Sequence, residues 1–327
     1  MKSTKTKIVV IGGGTGIFPV TACLRHLDNV EISTIISVSD SGGSTGRIRD
    51  EFGFQPVGDL RQSLAALAEA ENEEWIRKLL LYRFEKGNGL KGHNLGNLIL
   101  TALQDMTGDT SEALFRIKQI LRLKGEVIPA TKENVNLKII YKDGSHLIGE
   151  NHLDDNHNDQ KIAKIELEPA AKINPFAETV IKQADWIIIG PGDYYASIMS
   201  ALAPTGVKQA FSQSKGKILY ILNLMTRLTQ TKDMTALDHT QGIEQAIGKK
   251  VDYILLNTQK INNLILDRYA QSGEHPVVND LNGDSRIIKA PILSDQVFIK
   301  SYTDNTHREL LRHDSQKLLK VMARLVK

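Results

Sequence analysis

Apolar runs alternating with helical patterns, glycine turns at three run ends and one Asp-Gly hairpin signal predict an α/β fold: a three-layer, Rossmann-like, mostly parallel sheet with a small antiparallel β insertion. Runs such as Trp186–Ile189 are apolar throughout, as strands covered on both faces require. With 327 residues the chain can bury a large core, and it reads as a single α/β domain over 1–327, with 125–172 as a β-rich insertion.

The elements follow in order. Lys7–Ile11 is a strand that passes through Gly12-Gly-Gly-Thr-Gly16 into a helix near Ile17–Leu27. Ile32–Val38 is the second strand, and its glycine-rich continuation leads to a helix over Gly58–Leu67 with Asp59 in the first turn. Apolar spacing predicts helices over Glu73–Phe84, Leu95–Asp105 and Ser111–Leu123. The insertion holds strands at Val135–Ile140 and His146–Ile148 around Asp143-Gly144, then Ile162–Leu167. Strands return at Asp185–Gly190, Lys217–Leu222 and Val251–Leu256, and Ser315–Val326 is an amphipathic helix.

Composition excludes several classes. Apolar content of 41% and charged content of 24% are ordinary for a globular protein. The net charge of +3, from 41 basic and 38 acidic residues, gives no case for nucleic acid. The single cysteine, Cys23, excludes an internal disulfide, fits a reducing compartment and reads as core. No run approaches ~18 apolar residues, so no membrane insertion is expected, and the N-terminus enters a strand without a cleavage site. A cytoplasmic protein is the expectation.

The most informative segment is Ser37–Arg49. From Asp40 to Arg49 it carries three glycines, three hydroxyls, one carboxylate and two arginines. Such a loop can aim backbone N–H groups at one concave spot, with hydroxyl and guanidinium donors around it. The candidate anion-binding residues are Gly13, Gly14, Thr15 and Gly16 in the first turn. Ser41, Gly42, Gly43, Ser44, Thr45 and Arg47 belong to the second, and Gly190 and Gly192 to the third. In an open parallel sheet all three turns can face one crevice. A dehydrogenase fingerprint fails, because G-x-G-x-x-G from Gly12 ends on Ile17, and from Gly14 on Pro19. A P-loop fails too, for want of Gly-Lys-Ser/Thr after Gly42.

Asp40 and Asp59 are the candidate catalytic carboxylates, able to hold Mg²⁺ beside phosphate or to orient a hydroxyl; Asp59 reads equally as a helix cap. His93, Asn94 and Asn97 in Gly92-His-Asn-Leu-Gly-Asn97 offer donors and acceptors at a helix start, with Asn94 also a natural N-cap. His152, Asp154, Asp155 and His157 lack zinc-like spacing and read as a solvated loop.

The chain resembles the YvcK/CofD-like family in IVVIGGGTG (8–16), SVSDSGGSTGRIRDEFGFQPVGDLRQSLAAL (37–67), GHNLGNL (92–98), IIIGPGDYYASI (187–198), LNLMT (222–226) and RHD (312–314). One branch of that family resembles the Mg²⁺-dependent 2-phospho-L-lactate transferase of deazaflavin coenzyme synthesis. The other is the gluconeogenesis-factor branch, which binds UDP-sugars and is needed for cell shape and wall synthesis on gluconeogenic carbon. Gly43, Ser44 and Thr45 stand where the transferase pattern carries further acids, so the run is similar to the second branch. That resemblance implies a cytoplasmic regulatory protein binding UDP-N-acetylglucosamine or UDP-glucose, with no cofactor required for binding. It implies contacts to the ligand from Tyr269 and Arg312, and partners in wall synthesis; a homo-oligomer is the expected assembly. The alternative is a transferase of the phospholactate type, with Mg²⁺ held by Asp40 and Asp59. Two places depart from the family pattern. Asp193 and Tyr194 replace serine and leucine, the acid either weakening phosphate binding or recruiting a cation, and the turn over Leu222–Thr229 lacks its glycine-containing continuation.

Overall fold

The computed structural model describes residues 5–68, 73–155, 161–296 and 310–326. The first half runs β1 (Thr6–Gly12), α1 (Gly14–Leu24), β2 (Val30–Ile36), α2 (Gly43–Phe52), α3 (Gly58–Ala66), α4 (Glu73–Leu81), α5 (Leu95–Thr107), α6 (Thr110–Leu121) and β3 (Glu126–Pro129). A small unit follows: β4 (Asn136–Tyr141), β5 (His146–Ile148), α7 (His152–Asp155) and β6 (Ile162–Glu168). The second half comprises α8 (Pro175–Gln183), β7 (Trp186–Ile189), a π-helical turn (Tyr194–Met199), α9 (Ser200–Leu202), α10 (Val207–Gln213), β8 (Lys217–Ile221), α11 (Ala236–Ile247), β9 (Tyr253–Asn257), α12 (Asn263–Gln271), β10 (Ile287–Ala290) and α13 (Ser315–Leu325).

Seven strands form one sheet in the order β10-β9-β8-β7-β1-β2-β3, and every neighbouring pair is parallel. Successive side chains of a strand point to opposite faces. Ile8 and Val10 accordingly pack with Leu60, Leu64, Leu318 and Met322, while Val9 and Ile11 pack with Ile198, Phe211 and Ile243. Two buried faces explain why β1 is apolar from Ile8 to Ile11. Cys23 lies in the first of these cores, and burial pushes its thiol up to about 12.

The predicted fold class is the observed one, with corrections at its margins. β3 joins the parallel sheet beside β2, so the antiparallel sheet, β5-β4-β6, begins at Asn136 rather than at residue 125. β3 and β10 have only four residues each, too short for a periodicity argument. The larger correction is α2. The glycine and hydroxyl run reads as loop from composition, yet it forms the first turn of a helix capped at its far end by Gly53 in the left-handed conformation (φ 72°). In the stretch expected to be an exposed loop, His152 to Asp155 form α7; His157 lies outside the described residues.

Candidate functional site

The strand order reverses between β1 and β7, which leave β1 flanked by β2 on one side and β7 on the other. At such a switch point the carboxyl ends of two strands diverge and leave a crevice. Here Ile11 pairs with Ile189, and Gly190 N–H donates to Ile11 O at 2.9 Å, so the first and third glycine turns emerge side by side. They touch: a Cβ on Gly16 would lie 2.4 Å from Gly192 Cα, so only glycine fits. The second segment is tied in by three buried hydroxyls, with Ser37 Oγ and Ser39 Oγ lying 2.7 and 2.6 Å from Ser200 Oγ. The three turns surround one cavity of about 1190 Å³.

Thr15, Gly16, Asp40, Gly42, Gly43, Ser44, Thr45, Arg47, Asp59, Asn97, Gly192 and Arg312 line this cavity. The other candidates stand behind the lining. A Cβ on Gly13 would meet Ser197 Oγ and Asp59 Oδ2, and Gly14 packs against the Asp59 backbone. Ser41 Oγ donates to Asn151 Oδ1 at 2.8 Å. Asn94 caps α5 by accepting from Asn97 N–H, and His93 Nδ1 lies 3.3 Å from Ser44 Oγ. Gly190 closes the strand ladder to Ile11. Tyr269 is buried, with its hydroxyl accepting from Leu311 N–H.

The N-terminus of α2 faces the cavity, with Gly42 as N-cap and no side-chain cap from that residue. First-turn N–H groups of a helix have no intrahelical acceptor, and the helix dipole adds partial positive charge there. Gly43 lines the cavity, has φ 52° and has no atom within 4 Å of where a Cβ would stand. Asn97 Nδ2 reaches Ser44 Oγ and Thr45 Oγ1, each at 3.4 Å, and fixes the two hydroxyls from behind.

The two carboxylates are held differently. Asp40 Oδ1 accepts Gly42 N–H at 2.9 Å, so this acid organises its own loop. Burial raises its pKa, against hydrogen bonds from Gly42 and Thr45 and the charges of Arg61 and Arg49. Asp59 does not cap α3, whose N-cap is Val57; it accepts the backbone N–H of Gly14 instead. Burial, then the charge of Asp40, push Asp59 up to about 7. Two buried carboxylates, with the charge of Asp40 raising Asp59, open to a cavity rich in phosphate donors, fit Mg²⁺, which takes one or two carboxylates plus substrate phosphate. Among the described residues no group of three or more His, Cys, Asp or Glu is gathered for a metal.

Several lining residues escaped the sequence reading: Arg61, Glu150, Asn151, Asn223, Arg227 and His313. Arg61 is 6% exposed and donates to Leu80 O at 3.2 Å while its charge acts on both carboxylates. A mid-helix arginine amid Leu60 and Leu64 carries no local signal of that role. Glu150 and Asn151 arrive from the antiparallel unit, which no spacing places over the sheet. His313 is pushed down to about 4 by burial, against a bond to the Leu222 backbone, so it is neutral at pH 7. A second cavity of about 1140 Å³ shares Thr15, Arg61, Arg83, Arg312 and His313 with the first and continues to Phe18, Tyr82 and Phe84.

Fold and site define a doubly wound α/β protein with a long polar crevice at its switch point. Residues 8–297 match the family described as 2-phospho-L-lactate transferase CofD. The chain is 36% identical over 326 residues to the gluconeogenesis factor of Bacillus subtilis, covering 99% of each chain. It is 34% identical over 319 residues to that of Halalkalibacterium halodurans, covering 96% of this chain and 94% of the relative. A crystal structure of a UPF0052 family member from Bacillus halodurans superposes with a TM-score of 0.87 at 32% identity, covering 98% of this chain and 99% of that one. The chain belongs to the CofD/UPF0052 family. Among the described residues no helix is long and apolar enough to cross a membrane.

Proposed function

We propose that this chain is a nucleotide-sugar sensor of the gluconeogenesis-factor type, binding a UDP-sugar across the switch-point crevice. The observation that carries the reading is the N-terminus of α2, with Gly42, Gly43, Ser44, Thr45 and Arg47 lining the same 1190 Å³ cavity as Arg312. A helix N-terminus with hydroxyls and arginines suits a diphosphate. In this reading the liganded form engages wall-synthesis partners in the cytoplasm and supports cell shape on gluconeogenic carbon; the relatives named gluconeogenesis factor support it. Calorimetric titration with UDP-glucose and UDP-N-acetylglucosamine, with and without Mg²⁺, tests it. Absence of binding to both rejects it.

A second reading, transfer of a phospholactate-type group with Mg²⁺, is favoured by the Asp40–Asp59 pair and the family description. Mg²⁺ would there neutralise phosphate charge, while Asp59 at about 7 exchanges a proton near neutral pH. Turnover of a nucleotide-activated phospholactate by the wild type, lost in Asp40→Asn and Asp59→Asn, would establish this reading. Binding without turnover leaves the sensor.

A further inference from the structure

The third glycine turn carries an ion pair. Asp193 follows Gly192 directly, and its Oδ2 accepts from Arg227 Nη1. Arg227 is 8% exposed and lies on a loop between β8 and α11. Its backbone is pinned on both sides: Arg227 N–H donates to Thr231 Oγ1 at 2.8 Å, and Thr231 N–H donates back to Arg227 O at 2.8 Å. Asn223 from the same loop donates from Nδ2 to Gly192 O at 2.6 Å, holding loop and turn together. Asp193, Ser197, Asn223 and Arg227 all line the cavity that α2 opens into.

The pairing bears on the two expectations for Asp193. An unpaired arginine at this depth would be an anion site, and an unpaired aspartate a cation site; paired, the two charges offset each other. A carboxylate accepts O–H groups and a guanidinium donates to oxygen, so such a wall suits hydroxyls that both donate and accept. A further phosphate placed here would meet the Asp193 carboxylate.

We propose that the Asp193–Arg227 pair is the glycosyl subsite of the cavity, taking the neutral hydroxyls of a sugar and disfavouring a third phosphate. The inference rests on the nucleotide-sugar reading and names which wall meets the sugar. α2 takes the diphosphate, and the third turn faces what lies beyond it.

The test is calorimetric titration of the full chain with UDP, UDP-glucose and UTP, for wild type, Asp193→Asn and Arg227→Gln, each checked by thermal melting. Asp193→Asn removes the carboxylate that faces Arg227 and should move the UTP-to-UDP-glucose affinity ratio toward UTP by about tenfold. Arg227→Gln leaves the carboxylate alone and should move the ratio the opposite way; if Asp193→Asn does not fold, this variant decides. A merely structural pair would not shift the ratio in opposite senses. Ratios unchanged, or shifted the same way in both variants, overturn the subsite. Failure of wild type to bind either UDP, which lacks the glycosyl group, or UDP-glucose overturns the nucleotide reading and the subsite with it.

Discussion

Tyr269 Oη accepts the backbone N–H of Leu311 at 3.1 Å, one residue before Arg312. The tyrosine is 4% exposed on α12 and packs with Met225, Leu293 and Leu311, so it fixes the segment that carries the arginine without lining the cavity itself. Tyr269→Phe keeps the ring and strands a buried N–H, at a cost of about 1–3 kcal/mol. We expect a lower melting temperature together with weaker UDP-sugar binding, measured by thermal melts and calorimetry on one preparation. Unchanged affinity would confine Tyr269 to packing.

Arg312→Ala should act on the ligand rather than on the fold. Arg312 is half-buried and lines both cavities, where a charge-assisted bond to diphosphate is worth about 1.5–3 kcal/mol, roughly ten- to a hundredfold in affinity. Titration with UDP-N-acetylglucosamine measures it. Equal dissociation constants for wild type and variant would remove Arg312 from the site.

Gly43 allows backbone strain and occlusion to be separated. At φ 52° any L-residue costs about 1–2 kcal/mol, so Gly43→Ala should lower stability modestly. Gly43→Leu carries the same backbone cost and also adds a bulky side chain at a cavity-lining position in the first turn of α2. Nucleotide affinity should therefore fall much further in the leucine variant than in the alanine variant. Equal affinities in the two would place the phosphates elsewhere.

Asp59 sets a pH dependence of stability. Its folded pKa, about 7, is above the ordinary 3.8, so between these values the folded chain binds more protons than the unfolded one. Stability at this site therefore falls as pH rises from about 4 to about 7, and the penalty is complete above that window. Asp59→Asn should raise the melting temperature at pH 8 and leave it nearly unchanged below pH 4. Mg²⁺ bound at the pair would stabilise the wild type at pH 8, and more than it stabilises the variant. A melting-temperature difference independent of pH would contradict the raised pKa.

The parallel sheet was legible in the sequence, because strand stretches buried on both faces must be apolar, as Ile8–Ile11, Trp186–Ile189 and Ile218–Ile221 are. The sequence determined the glycine positions too, since the Gly16–Gly192 approach tolerates no side chain. It could not show that Ser44 and Thr45 begin a helix, because glycine and hydroxyls have poor helix propensity and only packing against α3 and α5 makes α2 form there. Nor could it pair Asp193 with Arg227, separated by 34 residues, or bring Asp40 near enough to Asp59 to raise its pKa. Those relationships are electrostatic and act through space. Tertiary structure decided them because a charge responds to its neighbours in three dimensions, whereas local sequence specifies only which surfaces a segment must bury.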